Sequence, residues 1–388
     1  MQYGSAELRI KETKDKTKRA GMDISFLALV VILLAIGVTM VLSASFARAY
    51  FDPGGVTKGK ATYYFIRQFI FAALGVAAMI ICSRLPVGFY KRFSMPVLIA
   101  AVILLMLVPI IGTNANGAKR WIGFGAFTIQ PSEIAKIGII LAFASMICAR
   151  RGRMKSFRYG ILPFAAILAA IVGLLVLEPH FSASIIIVAI GGVMLFLGGA
   201  RLVWFIAAAV AAGGGIAVLL TMFPYASTRI TTWRDPFAST SDEGYQIVQS
   251  LYSIGSGGLT GLGLGQSRQK YLYLPEEHND FIFSVVCEEL GFIGALLILT
   301  LFVLLIIRGY WIALHSTDRY SFLVAAGITT LLAIQVILNV AVVTNLVPCT
   351  GISLPFFSYG GTALLMQMAE MGIVLSISRD LPAGRVGG

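Results

Sequence analysis

The sequence predicts an all-α polytopic membrane protein of about ten transmembrane helices, with a large extracytoplasmic loop between helices 7 and 8. Three observations carry this. The 388-residue chain is 58% hydrophobic and only 12% charged, a balance foreign to soluble domains. Its apolar residues fall in continuous runs of roughly 20, the length that crosses a bilayer as a helix. The runs are rich in Leu, Ile and Ala and lack the alternation of a barrel strand.

In chain order the runs lie near 23–47, 63–82, 95–112, 133–149, 160–177, 182–199, 202–222, 282–307, 320–345 and 357–378. A basic tail, 1–22, precedes them, a short tail, 380–388, follows, and 23–379 reads as a single membrane domain. The first run is too long for the core of a cleavable signal peptide and is read as the retained first span. With ten spans and an internal N-terminus, most of the 30 Lys and Arg fall on the inner side, including Arg9 to Arg19, Arg84 to Arg92 and Arg150 to Arg158. This bias orients both termini toward the cytoplasm. The net charge of +12 is therefore a topology signal, with attraction to anionic membrane lipids, and not a sign of nucleic acid. Four scattered cysteines and three distant histidines form no metal-binding or disulfide spacing. No P-loop, HExxH or dinucleotide fingerprint occurs.

The unusual chemistry collects in the outer segments 113–132, 178–181, 223–281 and 344–356. In the first, "NANGAKRWIGFGAFTIQPSEIAK" reads as a tight re-entrant or hairpin turn, with Pro131 opening the next helix. Glu133 and Lys136, three apart, share a helix face just inside the span. They are either an ion pair that makes two charges tolerable in lipid or a functional pair. In "LEPHFS", Glu178 and His180 flank Pro179 and read as helix-capping groups of a turn. Segment 223–281 carries Arg229, Arg234, Arg268 and Lys270, basic charge that something anionic outside would account for. Within it, "GYQIVQSLYSIG" suits a short surface helix, and the glycines from Gly255 to Gly265 permit unusual backbone. It ends in "YLPEEHNDFIF", where Asn279 or Asp280 would cap the eighth span. A cap does not explain Glu288 and Glu289, one to two turns further in. In "NLVPCTGISLPFFSYGGTALL" two prolines and the glycines break any helix, so this segment should wall a cavity.

Taken together, "NGAKRWIGFGAFTIQPSEIAK", "DPF", "GYQIVQSLYSIGSGGLTGLGLGQS", "YLPEEHNDFIFSVVCEELGFIG" and "LPFFSYGGTALL" resemble the SEDS family of bacterial membrane proteins over about residues 23 to 379. The last spans look closest to its division and sporulation members, FtsW and SpoVE, of Gram-positive bacteria. The resemblance implies a peptidoglycan glycosyltransferase that polymerises lipid II on the outer face of the cytoplasmic membrane. It also implies a class B penicillin-binding protein and other cell-division proteins as partners, a divalent cation (Mg²⁺ or Mn²⁺) and no organic cofactor. It maps catalysis onto Asp280 and cavity-lining roles onto Glu133 and Lys136, with Glu277, His278 and Ser358 in support. Two positions depart from the pattern: His180 stands where many relatives have Asp, and Thr350 where many division-type members have Lys. A lipid II flippase is the alternative that composition alone would equally suit.

The family's substrate is an α-linked glycosyl pyrophosphate and its product a β-1,4 bond, so one inverting displacement with Asp280 as general base suffices. The departing pyrophosphate needs cations, for which Lys119, Arg120, Arg229, Arg234 and Lys270 are the candidates.

Overall fold

The computed structural model describes residues 21–115, 118–124, 127–222, 230–238 and 242–381. Helix α1 runs Ile24–Tyr50, α2 Tyr63–Arg84 and α3 Val87–Ile111. Three short strands follow, β1 Thr113–Ala115, β2 Ala118–Phe124 and β3 Phe127–Ile129, then α4 Pro131–Ala149, α5 Leu162–Leu177, α6 Phe181–Leu197 and α7 Leu202–Met222. Last come α8 Asp242–Ser256, α9 Ile282–Leu314, α10 Arg319–Val343 and α11 Gly361–Arg379.

Among the described residues eight helices are long and apolar enough to cross a membrane; α6, of 17 residues, is shorter, and α7 spans 21. With these two the count agrees with the about ten spans expected from the apolar runs. Helices α4, α10 and α11 are the most buried, and the others turn apolar faces outward, as suits helices whose second solvent is lipid.

Three boundaries differ from the hydropathy reading. Helix α3 begins at Val87, eight residues before its apolar run, because Lys91 and Arg92 end the run without ending the helix. Helix α9 continues past Arg308, whose charge is met by Asp23 at 2.9 Å and by the Trp311 ring, 4.3 Å from its guanidinium. Asp23 also caps α1, accepting from the Phe26 N–H at 2.8 Å. Helix α11 begins at Gly361, which leaves Phe357 to Gly360 in the preceding connection.

The all-helical expectation needs one addition. Strands β1, β2 and β3 form an antiparallel sheet in the order β1-β2-β3. Strands this short are invisible to a 20-residue apolar window.

The segment between α7 and α9 holds helix α8, which buries Ile247, Ser250 and Ser253 and exposes Tyr245 and Tyr252. Its glycine-rich continuation fills a break in α9. At Gly291 the backbone leaves the helix (φ 67°, ψ −172°), a conformation essentially reserved for glycine. The freed groups bond to the loop: the Glu288 and Glu289 carbonyls accept from Leu262 and Gly263 N–H at 2.9 and 3.0 Å. In return Phe292 and Ile293 donate to the Gly258 and Leu259 carbonyls at 2.9 and 3.1 Å. A helix break at this depth is tolerable only when its polar groups are paired in this way.

Glu288 and Glu289, both buried, are held by the same loop. Glu288 accepts from Ser253 Oγ at 3.0 Å, Ser267 Oγ at 2.5 Å and the Arg268 N–H at 2.9 Å. Glu289 accepts from Ser43 Oγ at 2.7 Å and Lys270 Nζ at 2.9 Å. These charges pin the connection to the bundle.

Candidate active site

Asp280 lies two residues before α9, whose N-cap position is Phe281 and receives no side-chain cap bond. Its carboxylate is thus not spent on capping. The backbone around it is clamped instead. Fully buried Asn339 of α10 donates from Nδ2 to the Asp280 carbonyl at 2.8 Å and to the Ile352 carbonyl at 2.7 Å. Ser358 Oγ donates to the Asn279 carbonyl at 2.7 Å and accepts from the Leu354 N–H at 2.7 Å. The Tyr359 N–H donates to the His278 carbonyl at 2.8 Å. Three successive carbonyls are therefore fixed by α10 and the broken-helix connection that follows it, which orients the Asp280 side chain.

That side chain faces a cavity of about 470 Å³, shared with Arg67, Arg120, Glu133, Lys136, His180 and Glu276, and walled on one side by residues 351 to 364. The connection walls the cavity as its prolines and glycines require. Gly351 sits against the carboxylate: a Cβ there would lie 2.8 Å from Asp280 Oδ2. Lys136 Nζ meets Glu133 Oε2 at 2.7 Å, so the pair is ion-paired and cavity-lining at once. Burial, reinforced by Glu276, pushes the Asp280 carboxyl up to about 7 against the opposing pull of Arg120. A carboxylate that titrates near neutrality beside fixed cations can take a proton while those cations receive developing negative charge.

His180 occupies the N-cap position of α6 without making a cap bond. It lines the cavity instead, so the capping reading of "LEPHFS" fails for it. Burial, with Arg120 and Lys136, holds its ring down at about 3.

The remaining basic candidates lie elsewhere. Lys119 is exposed and donates to the Pro109 carbonyl at 3.3 Å. Arg234 is exposed. Lys270 is buried against Glu289 and Ser43. Arg229 lies outside the described residues. Glu277 and His278 sit behind Asp280 rather than on the cavity wall. Arg48 binds Glu277 bidentately at 2.8 and 2.9 Å, and His278 stands 3.6 Å from it. Burial pushes the Glu277 carboxyl up, but His278 and Arg48 outweigh it and hold it below its ordinary value. The His278 ring packs on Tyr64, at 4.6 Å between centroids, and on Tyr359.

Sequence reading passed over Arg67, Gln335, Gln367 and Glu370, all of which line the cavity, and the Asn339 clamp. Glu370 carried a usable signal, a lone acid inside an apolar run. Gln335 and Asn339, four apart on one face of α10, were a second.

Among the described residues no group of three or more His, Cys, Asp or Glu is placed to hold a metal ion. A divalent cation would therefore have to rely chiefly on substrate phosphate oxygens, as Mg²⁺ commonly does.

A bundle of about ten membrane helices, with a buried acid and several cations round one cavity, defines a multi-pass membrane protein, and the chain belongs to the FtsW/RodA/SpoVE family. The family model, described as "Cell cycle protein", matches residues 24–382. The chain is 40% identical over 366 residues to stage V sporulation protein E of Bacillus subtilis, covering 94% of this chain and 98% of that one. It is 38% identical to a probable peptidoglycan glycosyltransferase FtsW of Trichlorobacter lovleyi, covering 93% and 94%. Among solved structures it resembles a chain of a peptidoglycan synthase complex studied for the coordination of polymerization and crosslinking (TM-score 0.75, 28% identity, covering 93% and 99%). The rod shape determining protein RodA of Thermus thermophilus is also similar (TM-score 0.66, 27% identity, covering 93% and 97%).

Proposed function

We propose that this chain is a peptidoglycan glycosyltransferase that polymerises lipid II during cell division or sporulation, with Asp280 as general base. The observation that carries the assignment is the position of Asp280: clamped through its backbone, poised near neutrality, and in one cavity with Arg120 and Lys136. In the reaction the acceptor's sugar hydroxyl oxygen forms a bond to the donor's anomeric carbon. The bond from that carbon to the pyrophosphate oxygen breaks, and its electron pair leaves with the pyrophosphate. Attack from the face opposite the leaving group inverts the centre in one displacement, and Asp280 takes the hydroxyl proton.

A divalent cation is part of this proposal; the substrate's phosphate oxygens would hold it, and it would neutralise pyrophosphate charge. The working face is the outer face of the cytoplasmic membrane, with both termini in the cytoplasm, as the distribution of Lys and Arg supports. The partner is a class B penicillin-binding protein, by likeness to the complex that couples polymerization to crosslinking. The test is polymerisation of fluorescent lipid II by the purified chain with that partner: wild type should yield glycan strands and Asp280→Asn should not.

A further inference from the structure

Helix α2 turns one face to the segment that clamps the backbone at Asp280. Tyr64, Gln68 and Phe71, at i, i+4 and i+7, share that face. The Tyr64 ring packs on His278, at 4.6 Å between centroids, and on Tyr359 at 5.0 Å. Phe71 leaves no room for a Cβ at Gly361. Between these two, Gln68 is fully buried, and an amide inside an apolar helix is costly unless it is paired. Both of its partners are backbone groups: Nε2 donates to the Ser358 carbonyl at 3.2 Å, and Oε1 accepts from the Gly360 N–H at 3.3 Å. A carbonyl only accepts and an N–H only donates, so the orientation of the amide is fixed.

Segment 358–360 is thereby bonded along both edges, as an extended strand is. One edge, the Ser358 carbonyl and the Gly360 N–H, belongs to Gln68. From the other edge Ser358 Oγ and the Tyr359 N–H reach the Asn279 and His278 carbonyls at 2.7 and 2.8 Å. Gln367 of α11 anchors the same connection earlier, accepting from the Phe356 N–H at 2.8 Å. Gln68 itself stands behind the segment, off the cavity wall. We propose that Gln68 is a positioning residue of the transfer reaction, which sets the place of the Asp280 carboxylate through Ser358, Tyr359 and Gly360. This rests on the glycosyl-transfer reading above and adds to it the support that α2 gives the base, opposite the support that Asn339 gives from α10.

The test compares purified Gln68→Met, an apolar side chain of similar length, with wild type in lipid II polymerisation with the partner present, reading kcat and KM separately beside a melting curve. Gln68 acts on the base and not on the substrate. kcat should therefore fall by about tenfold or more while KM stays within about threefold, against about 10²-fold in rate for a full 1 Å displacement. Ser376→Ala controls for stability alone. It removes a bond to the Leu85 carbonyl at 2.6 Å, at the far end of the α2 and α11 pair, and should lower the melting temperature without lowering kcat. In Gln68→Met combined with Ser358→Ala, kcat should fall little below the worse single variant, because both act through one segment. A smaller fall in Gln68→Met, an equal fall in Ser376→Ala, or two losses that multiply in full each overturn the proposal. Should Gln68→Met not fold, Gln68→Asn, whose amide falls a methylene short of the segment, carries the same comparison. The two ideas fail separately: strand synthesis by Asp280→Asn sinks the glycosyl-transfer reading, whereas wild-type kcat in Gln68→Met beside an inactive Asp280→Asn sinks this one alone.

Discussion

A general base whose carboxyl titrates at about 7 must leave its mark on the pH profile. Only the ionised form accepts a proton, so the active fraction is about a tenth at pH 6, about half at pH 7 and about nine-tenths at pH 8. kcat/KM should therefore climb about fivefold from pH 6 to 7 and about twofold from 7 to 8. An ordinary aspartate would be ionised throughout this range and the profile would be flat. The carboxylate of Glu276 helps hold Asp280 up. Glu276→Gln removes that like charge, lowers the Asp280 pKa, and should shift the acid limb to lower pH, raising activity at pH 6 relative to pH 8. The assay is the initial rate of glycan formation from subsaturating fluorescent lipid II between pH 5.5 and 9. A flat wild-type profile between pH 6 and 8, or a limb that moves upward in Glu276→Gln, would refute the reasoning.

The clamp makes a second prediction. Asn339→Leu strands two buried carbonyls, at about 1–3 kcal/mol each, and frees the Asp280 backbone; a displacement of about 1 Å can cost about 10²-fold in rate. kcat should fall by that order, and a melting temperature and kcat both near wild type would exclude the clamp. Gly351→Ala forces a Cβ to 2.8 Å from Asp280 Oδ2, so it should depress polymerisation while leaving thermal stability almost unchanged, as a melting curve beside the rate assay will show. Gly291→Ala places a side chain where φ is 67° and should cost about 1–3 kcal/mol of stability, read as a lower melting temperature in detergent.

The spans were legible because a bilayer imposes a length, and any apolar run of about 20 residues declares itself. That Asp280, Glu133 and Lys136 line one cavity was legible through the motifs around them. Which cation serves the cavity was not: Lys136 and Lys270 look alike in sequence, and only the fold ties Lys270 to Glu289 and leaves Lys136 on the cavity wall. Asn339 is equally silent, since it acts on a carbonyl 59 residues away in the chain. The glycine-rich stretch read as permissive backbone. Its actual task, pairing with the broken turn at Gly291, required knowing that α9 breaks there. Short strands in segment 113–130 escaped for the same reason of scale, as three to seven residues carry too little periodicity.

The central claim is that Asp280 is the base of glycan polymerisation. It is tested most directly by supplying fluorescent lipid II and the penicillin-binding partner to purified Asp280→Asn and measuring strand synthesis at pH 8. The wild-type carboxyl is raised well above its unfolded value, so the charge it carries at pH 8 costs folding stability. The neutral variant should melt no lower than wild type. Its rate should fall by about 10²–10⁴-fold. A folded Asp280→Asn that builds glycan strands at the wild-type rate would contradict the assignment.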